Sequence, residues 1–122
     1  MKVGLYFDKT LETLEGELYV KLTRKGIDAV EIEKGIDQNP NISGIDVLVF
    51  HPPYDNEKGE WDAVRKFIDA HQNTLFYMLA LGASEREVYF GERKNLIYIN
   101  NGDFFRNLTK CINDGYKHFS RK

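Results

Sequence analysis

His51 is the residue best placed to do chemistry in this chain, and its setting is Gly44-Ile45-Asp46-Val47-Leu48-Val49-Phe50-His51-Pro52-Pro53. An imidazole titrates near neutrality, so it can accept a phosphoryl group, move a proton or bind a metal. The apolar run ahead of it suits a strand covered on both faces, and the two prolines forbid further pairing. In open α/β sheets the working crevice lies beyond the carboxyl ends of such strands, where His51 falls. The structural alternative for His51 is a ring packed at the strand end and bonded to a loop carbonyl.

Asp8 closes the first apolar run and Asp55 follows His51 closely, so both are expected at the same edge. Carboxylates suit hard cations and histidine suits softer metals. The three residues are not spaced like the ligands of a structural metal site, so Asp8 as a turn cap and Asp55 as a solvated loop residue are preferred, and no metal is expected. A small-molecule site, if present, is expected at the carboxyl edge of the first, third and fourth strands. Asp8, His51, Tyr54, Asp55 and Leu81 would bound it, with Asn100 at the end of the last strand.

Neither G-x-G-x-x-G nor G-x-x-x-x-G-K-[ST] occurs, so dinucleotide and P-loop readings lack support and no cofactor is expected. Thr10 and Thr13 precede a helix in the way of a phosphate-gripping loop, but Asp8, Glu12 and Glu15 would repel an anion. Tyr89 and Phe90 lie between the fourth and fifth strands and, if exposed, would mark a partner surface. His71 and His118 read as surface residues, and Cys111, between Leu108 and Ile112, as a buried small hydrophobe.

The elements that must position these residues are legible. Residues 3–7 read as a buried strand. Leu11, Leu14, Leu18 and Leu22 recur at spacings of three and four, which predicts a helix over about 13–25 stopped by Gly26. Residues 27–33 alternate like an edge strand, and 35–43 read as loop with at most a very short helix. Trp61, Val64, Phe67, Ile68 and His71 mark the next helix face, and 75–81 the next apolar run. Ser84 is expected to open a short helix, 96–99 forms the last strand, and Asp103 is expected to cap one final helix carrying Phe104, Leu108, Cys111, Ile112 and Phe119.

Strands alternating with helices predict a three-layer α/β/α domain with a five-stranded parallel sheet of order 2-1-3-4-5, its second helix short or absent. One domain spans 1–122. Its core is expected to contain Leu5, Phe7, Val47, Val49, Phe76, Met78, Ile97, Ile99, Leu108 and Ile112. The 122 residues are 42% hydrophobic and 30% charged with a net charge of −2, which fits a soluble domain with a real core. No basic stripe supports nucleic-acid binding, and no apolar run is long enough for a membrane span. The single cysteine precludes an intrachain disulfide and fits a reducing cytoplasm.

Over nearly its whole length the chain resembles the response-regulator receiver family. Residues 2–8 resemble that family's first strand and its acidic end, and 22–30 the exit of its first helix into strand two. Residues 45–51 resemble the strand carrying the phosphorylated aspartate, 75–80 the strand ending in a hydroxyl, and 96–103 the last strand with its lysine-proline turn. The resemblance fails at the chemistry. Phe7 and Asp8 stand for two acids, His51 for the aspartate, Ala80 for the hydroxyl and Asn100 for the lysine. It therefore implies a degenerate receiver: a non-catalytic signalling or interaction domain that meets a protein partner or a second copy of itself. The alternative is a small-ligand or enzymatic flavodoxin-like domain for nucleotide or flavin, working around Asp8, His51 and Asp55.

Overall fold

The computed structural model describes residues 1–82 and 84–121. Among them, five strands form one parallel sheet: β1 (Lys2–Tyr6), β2 (Asp28–Glu31), β3 (Val47–Phe50), β4 (Leu75–Leu79) and β5 (Leu96–Ile99). The order is β2-β1-β3-β4-β5, the one expected. Alternation along β3 sends Val47 and Val49 to one face and Leu48 and Phe50 to the other, and all four are fully buried. This is why the run is uniformly apolar: both faces are covered.

On the Val47 face lie α1 (Glu12–Arg24), α4 (Asp103–Arg106) and α5 (Leu108–Ser120). Leu18 and Leu22 of α1 are buried there with Leu108 and Ile112 of α5. Each such leucine contributes about 1.5–3 kcal/mol by leaving water. Glu12 and Glu15 in the first turn of α1, and Lys21 and Arg24 in its last, oppose the helix dipole favourably. On the other face, α2 (Glu60–Ala70) packs Trp61, Val64, Phe67 and Ile68 beside Phe90 of α3 (Ser84–Phe90). The result is a three-layer flavodoxin-like fold. Among the described residues no helix is long and apolar enough to cross a membrane.

Between β2 and β3 there is one 3-10 turn, Ile36–Gln38, in place of a second helix. Asn39 follows it in the left-handed region, φ 53°, and Pro40 disfavours helical backbone at the residue before it.

Four expectations need correction. The final helix is two, α4 and α5, with Asn107 at φ −116° between them. Asp103 does not cap: its backbone N–H donates to Asn101 Oδ1 at 2.9 Å. Ile97 is 37% exposed, because β5 is an edge strand that α5 covers only in part. Cys111 is half-buried.

Gly115 explains how α5 sits so close to the sheet. Tyr77 Oη donates to Cys111 O at 2.7 Å, and a Cβ at position 115 would lie 1.9 Å from Tyr77 Oη.

Candidate functional site

Parallel strands end together, so the segments leaving β1, β2 and β3 are gathered at one edge. They enclose a cleft of about 350 Å³ lined by Tyr6, Asp8, Asp37, Gln38, His51, Pro52, Pro53, Tyr54, Asp55 and Glu60. Of the site residues expected from sequence, the fold brings together Asp8, His51, Tyr54 and Asp55. Leu81 and Asn100 are exposed and do not line this cleft.

His51 donates its backbone N–H to Tyr6 O at 2.9 Å, extending the β1–β3 ladder one residue past the strand. Pro52 and Pro53 have no N–H to continue it. The loop is then pinned from below, where Trp61 Nε1 donates to Pro53 O at 2.8 Å. The His51 ring is packed, as a structural role would require: the residue is only 7% exposed, and the Tyr54 ring lies 4.7 Å from it, centroid to centroid. The expected loop carbonyl is missing. Among the described residues neither ring nitrogen has a hydrogen-bond partner, and neither is sealed from solvent.

Burial, helped by the nearby Arg86 guanidinium and opposed by Asp8, holds the His51 pKa down at about 4. The ring is therefore neutral at physiological pH, with one nitrogen able to accept a hydrogen bond.

Asp8 sits opposite, capping the 3-10 turn Lys9–Leu11. Its Oδ1 accepts from the Thr10 backbone N–H and from Thr10 Oγ1, both at 2.9 Å, and these bonds lower its pKa. Thr10 Oγ1 also shares a 2.9 Å hydrogen bond with Tyr54 Oη, which ties the loop after β1 to the loop after β3 across the mouth. The third wall is the turn Ile36–Gln38. A Cβ on Gly35 would lie 2.5 Å from Asp37 Oδ1 and 3.3 Å from the Tyr6 ring, so glycine permits this close approach. Burial, then Asp37, Asp8 and Glu15, raise the Tyr6 phenol pKa.

The lining is strongly one-signed. Among its described residues are four carboxylates, Asp8, Asp37, Asp55 and Glu60, and no lysine or arginine. Three of them have a local backbone role: Asp8 accepts from Thr10, Asp55 from Glu57 at 3.2 Å and Glu60 from Lys58 at 2.9 Å. Each still has lone pairs to spare. No group of three His, Cys, Asp or Glu among the described residues converges closely enough to hold a metal ion. Asp8, His51 and Asp55 share a cleft without forming a coordination centre.

Behind the cleft lies Arg86 of α3, 7% exposed. Its Nη1 donates to Leu79 O at 2.9 Å, its Nε has no partner among the described residues, and burial lowers its pKa. Glu85, outside the cleft, is the carboxylate that acts on it, and among the described residues Arg86 forms no ion pair with the four lining acids.

The partner surface expected at Tyr89 and Phe90 is not exposed. Phe90 is fully buried between α3 and the sheet, and Tyr89 is half-buried with its ring 5.3 Å from Trp61. Spacing explains it: Arg86 and Phe90 are four apart and share the inward face of α3, which leaves Val88 outward at 85% exposure.

Sequence reasoning missed Tyr6, Asp37, Gln38, Glu60 and Arg86. Asp37 and Gln38 follow β2 and belong to the carboxyl edge by the same topological rule that located His51. Arg86 shares a helix face with Phe90, a signal visible only once Phe90 is assigned to the core. No protein-family model, curated protein or solved structure matches this chain, so its classification rests on its own architecture as a flavodoxin-like α/β domain.

Proposed function

We propose that this chain is a non-catalytic, receiver-like signalling or binding domain that lacks aspartyl phosphorylation and works through the carboxyl-edge cleft. His51 carries this reading. Where a receiver has its phosphorylated aspartate there is a buried, neutral ring with no partner among the described residues. Phosphoryl transfer needs a carboxylate nucleophile and positive charge around the transferred group. Here one acid, Asp8, follows β1, while Ala80 and Asn100 stand in the hydroxyl and lysine places. A nucleotide or flavin reading has less behind it, because its phosphates would face the four lining carboxylates.

The test is incubation with acetyl phosphate and magnesium, followed by intact-mass analysis. The expected mass is unchanged. A stoichiometric phosphoryl adduct overturns the reading, and an adduct lost in His51→Ala would make His51 the phosphoacceptor.

A further inference from the structure

The geometry points to a small organic cation with N–H donors, a protonated primary amine or a guanidinium, as the ligand of the carboxyl-edge cleft. The inference rests on the reading of that cleft as the working site. Two independent observations carry it.

The first is charge. Asp8, Asp37, Asp55 and Glu60 line the space with no lysine or arginine among the described lining residues, and Lys9 beside Asp8 and the buried Arg86 behind His51 offset only part of that charge. Low-dielectric walls focus such a field, which draws in cations and rejects phosphates and carboxylates. A bare metal ion fits poorly, because among the described residues no three ligating groups converge on a point. A volume of about 350 Å³ suits an organic molecule.

The second is His51. It lines the cleft and is 7% exposed, yet its ring nitrogens find no hydrogen-bond partner among the described residues. Those nitrogens are not sealed from solvent, and the cleft is the space this ring lines, so a ligand N–H there would take the place of water. A neutral imidazole offers an acceptor, and an ammonium or guanidinium N–H is its complement. Tyr54, its ring tilted 59° to that of His51, adds an aromatic face to which a cation is attracted. A quaternary ammonium would satisfy the carboxylates and the ring but not His51.

The experiment is titration of the 15N-labelled full chain with agmatine, choline, inorganic phosphate and the capped peptide acetyl-Gly-Arg-Gly-amide, read by chemical-shift mapping. Agmatine should bind with submillimolar affinity and shift His51, Tyr54 and Asp37. Choline should bind about tenfold more weakly for want of an N–H donor, and phosphate not at all. Asp37→Asn, whose carboxylate makes no hydrogen bond among the described residues, should weaken agmatine about threefold without unfolding the domain. His51→Leu should erase the difference between agmatine and choline. If His51→Leu does not fold, Asp37→Asn alone decides.

Equal binding of agmatine and choline, or agmatine affinity unchanged in Asp37→Asn, overturns the inference. Tighter binding of the peptide than of agmatine also overturns it, by making a partner's side chain the ligand. If phosphate alone shifts the cleft residues, the ligand class is wrong while the cleft remains the working site. If agmatine shifts only residues elsewhere, the inference and that reading of the cleft fall together.

Discussion

The sheet carries a cleft at each end, and the two treat their polar groups differently. At the amino edge a space of about 560 Å³ is lined by the loop 39–46 with His71, Asn73 and Thr74. Polar groups there are largely spent on the protein itself. Asp46 accepts from the Lys2 backbone N–H at 2.8 Å, Thr74 Oγ1 donates to Ile45 O, and His71 Nδ1 is 2.7 Å from Phe67 O. Beside it, Asn95 Nδ2 donates to Ile68 O and His71 O, although its Oδ1 has no partner among the described residues. The carboxyl-edge cleft is smaller, yet among the described residues the His51 ring in it and Arg86 Nε behind it have no hydrogen-bond partner. Size therefore does not track which edge keeps polar groups unspent. The amino edge spends its polar side chains on fixing loops, while the carboxyl edge holds some in reserve.

The sharpest way to break this contrast is Asn95→Ala. Asn95 is fully buried and its amide joins the end of α2 to the start of β5. Removing it takes one of two hydrogen bonds from each of Ile68 O and His71 O, which keep the His71 and Thr74 backbone N–H, and should cost about 2–3 kcal/mol in urea unfolding. A loss below about 1 kcal/mol would mean the amino edge is not the stapled end.

Next in size is a pH effect that belongs to the other edge. The His51 pKa falls from 6.5 to about 4 on folding. Between those values the unfolded chain binds a proton that the folded chain does not, so stability should rise with pH across this window. Allowing for the ring's access to solvent, the rise is of order 2 kcal/mol, and His51→Gln should abolish it. Asp8, whose pKa is lowered, contributes with the same sign at more acid pH, so the variant should keep a residual slope there. An unchanged slope between pH 4 and 6.5 in His51→Gln would show that folding does not lower the His51 pKa.

The smallest effect is expected at the mouth. Tyr54 is 59% exposed and its hydroxyl meets Thr10 in solvent. Tyr54→Phe should change stability by no more than about 0.5 kcal/mol, because water replaces the lost bond. A larger loss would make the Thr10–Tyr54 tie structural and weaken the view of this edge as held in reserve.

Much of the fold was legible from periodicity and punctuation. Leu18 and Leu22 lie on one helical face and are buried together, and the loop after β2 holds a single helical turn. The errors fall where neighbours outvote local pattern. Ile97 reads as core by its place in an apolar run, but an edge strand has cover on too few sides. The last helix reads as continuous from its apolar stripe, while the backbone breaks at Asn107.

The sequence by itself determined the element order, the doubly covered strand Val47–Phe50 and the placement of Asp8, His51, Tyr54 and Asp55 at one edge. Those follow from alternation, helical spacing and chain direction, all properties of short segments. Only the tertiary structure decided that Asp37, Gln38 and Glu60 join them, that Leu81 and Asn100 do not, and that Arg86 lies buried behind. Side chains far apart in sequence meet only through loop path and packing. A one-signed cleft assembled from separate turns therefore leaves no continuous trace in a chain whose charges look evenly mixed.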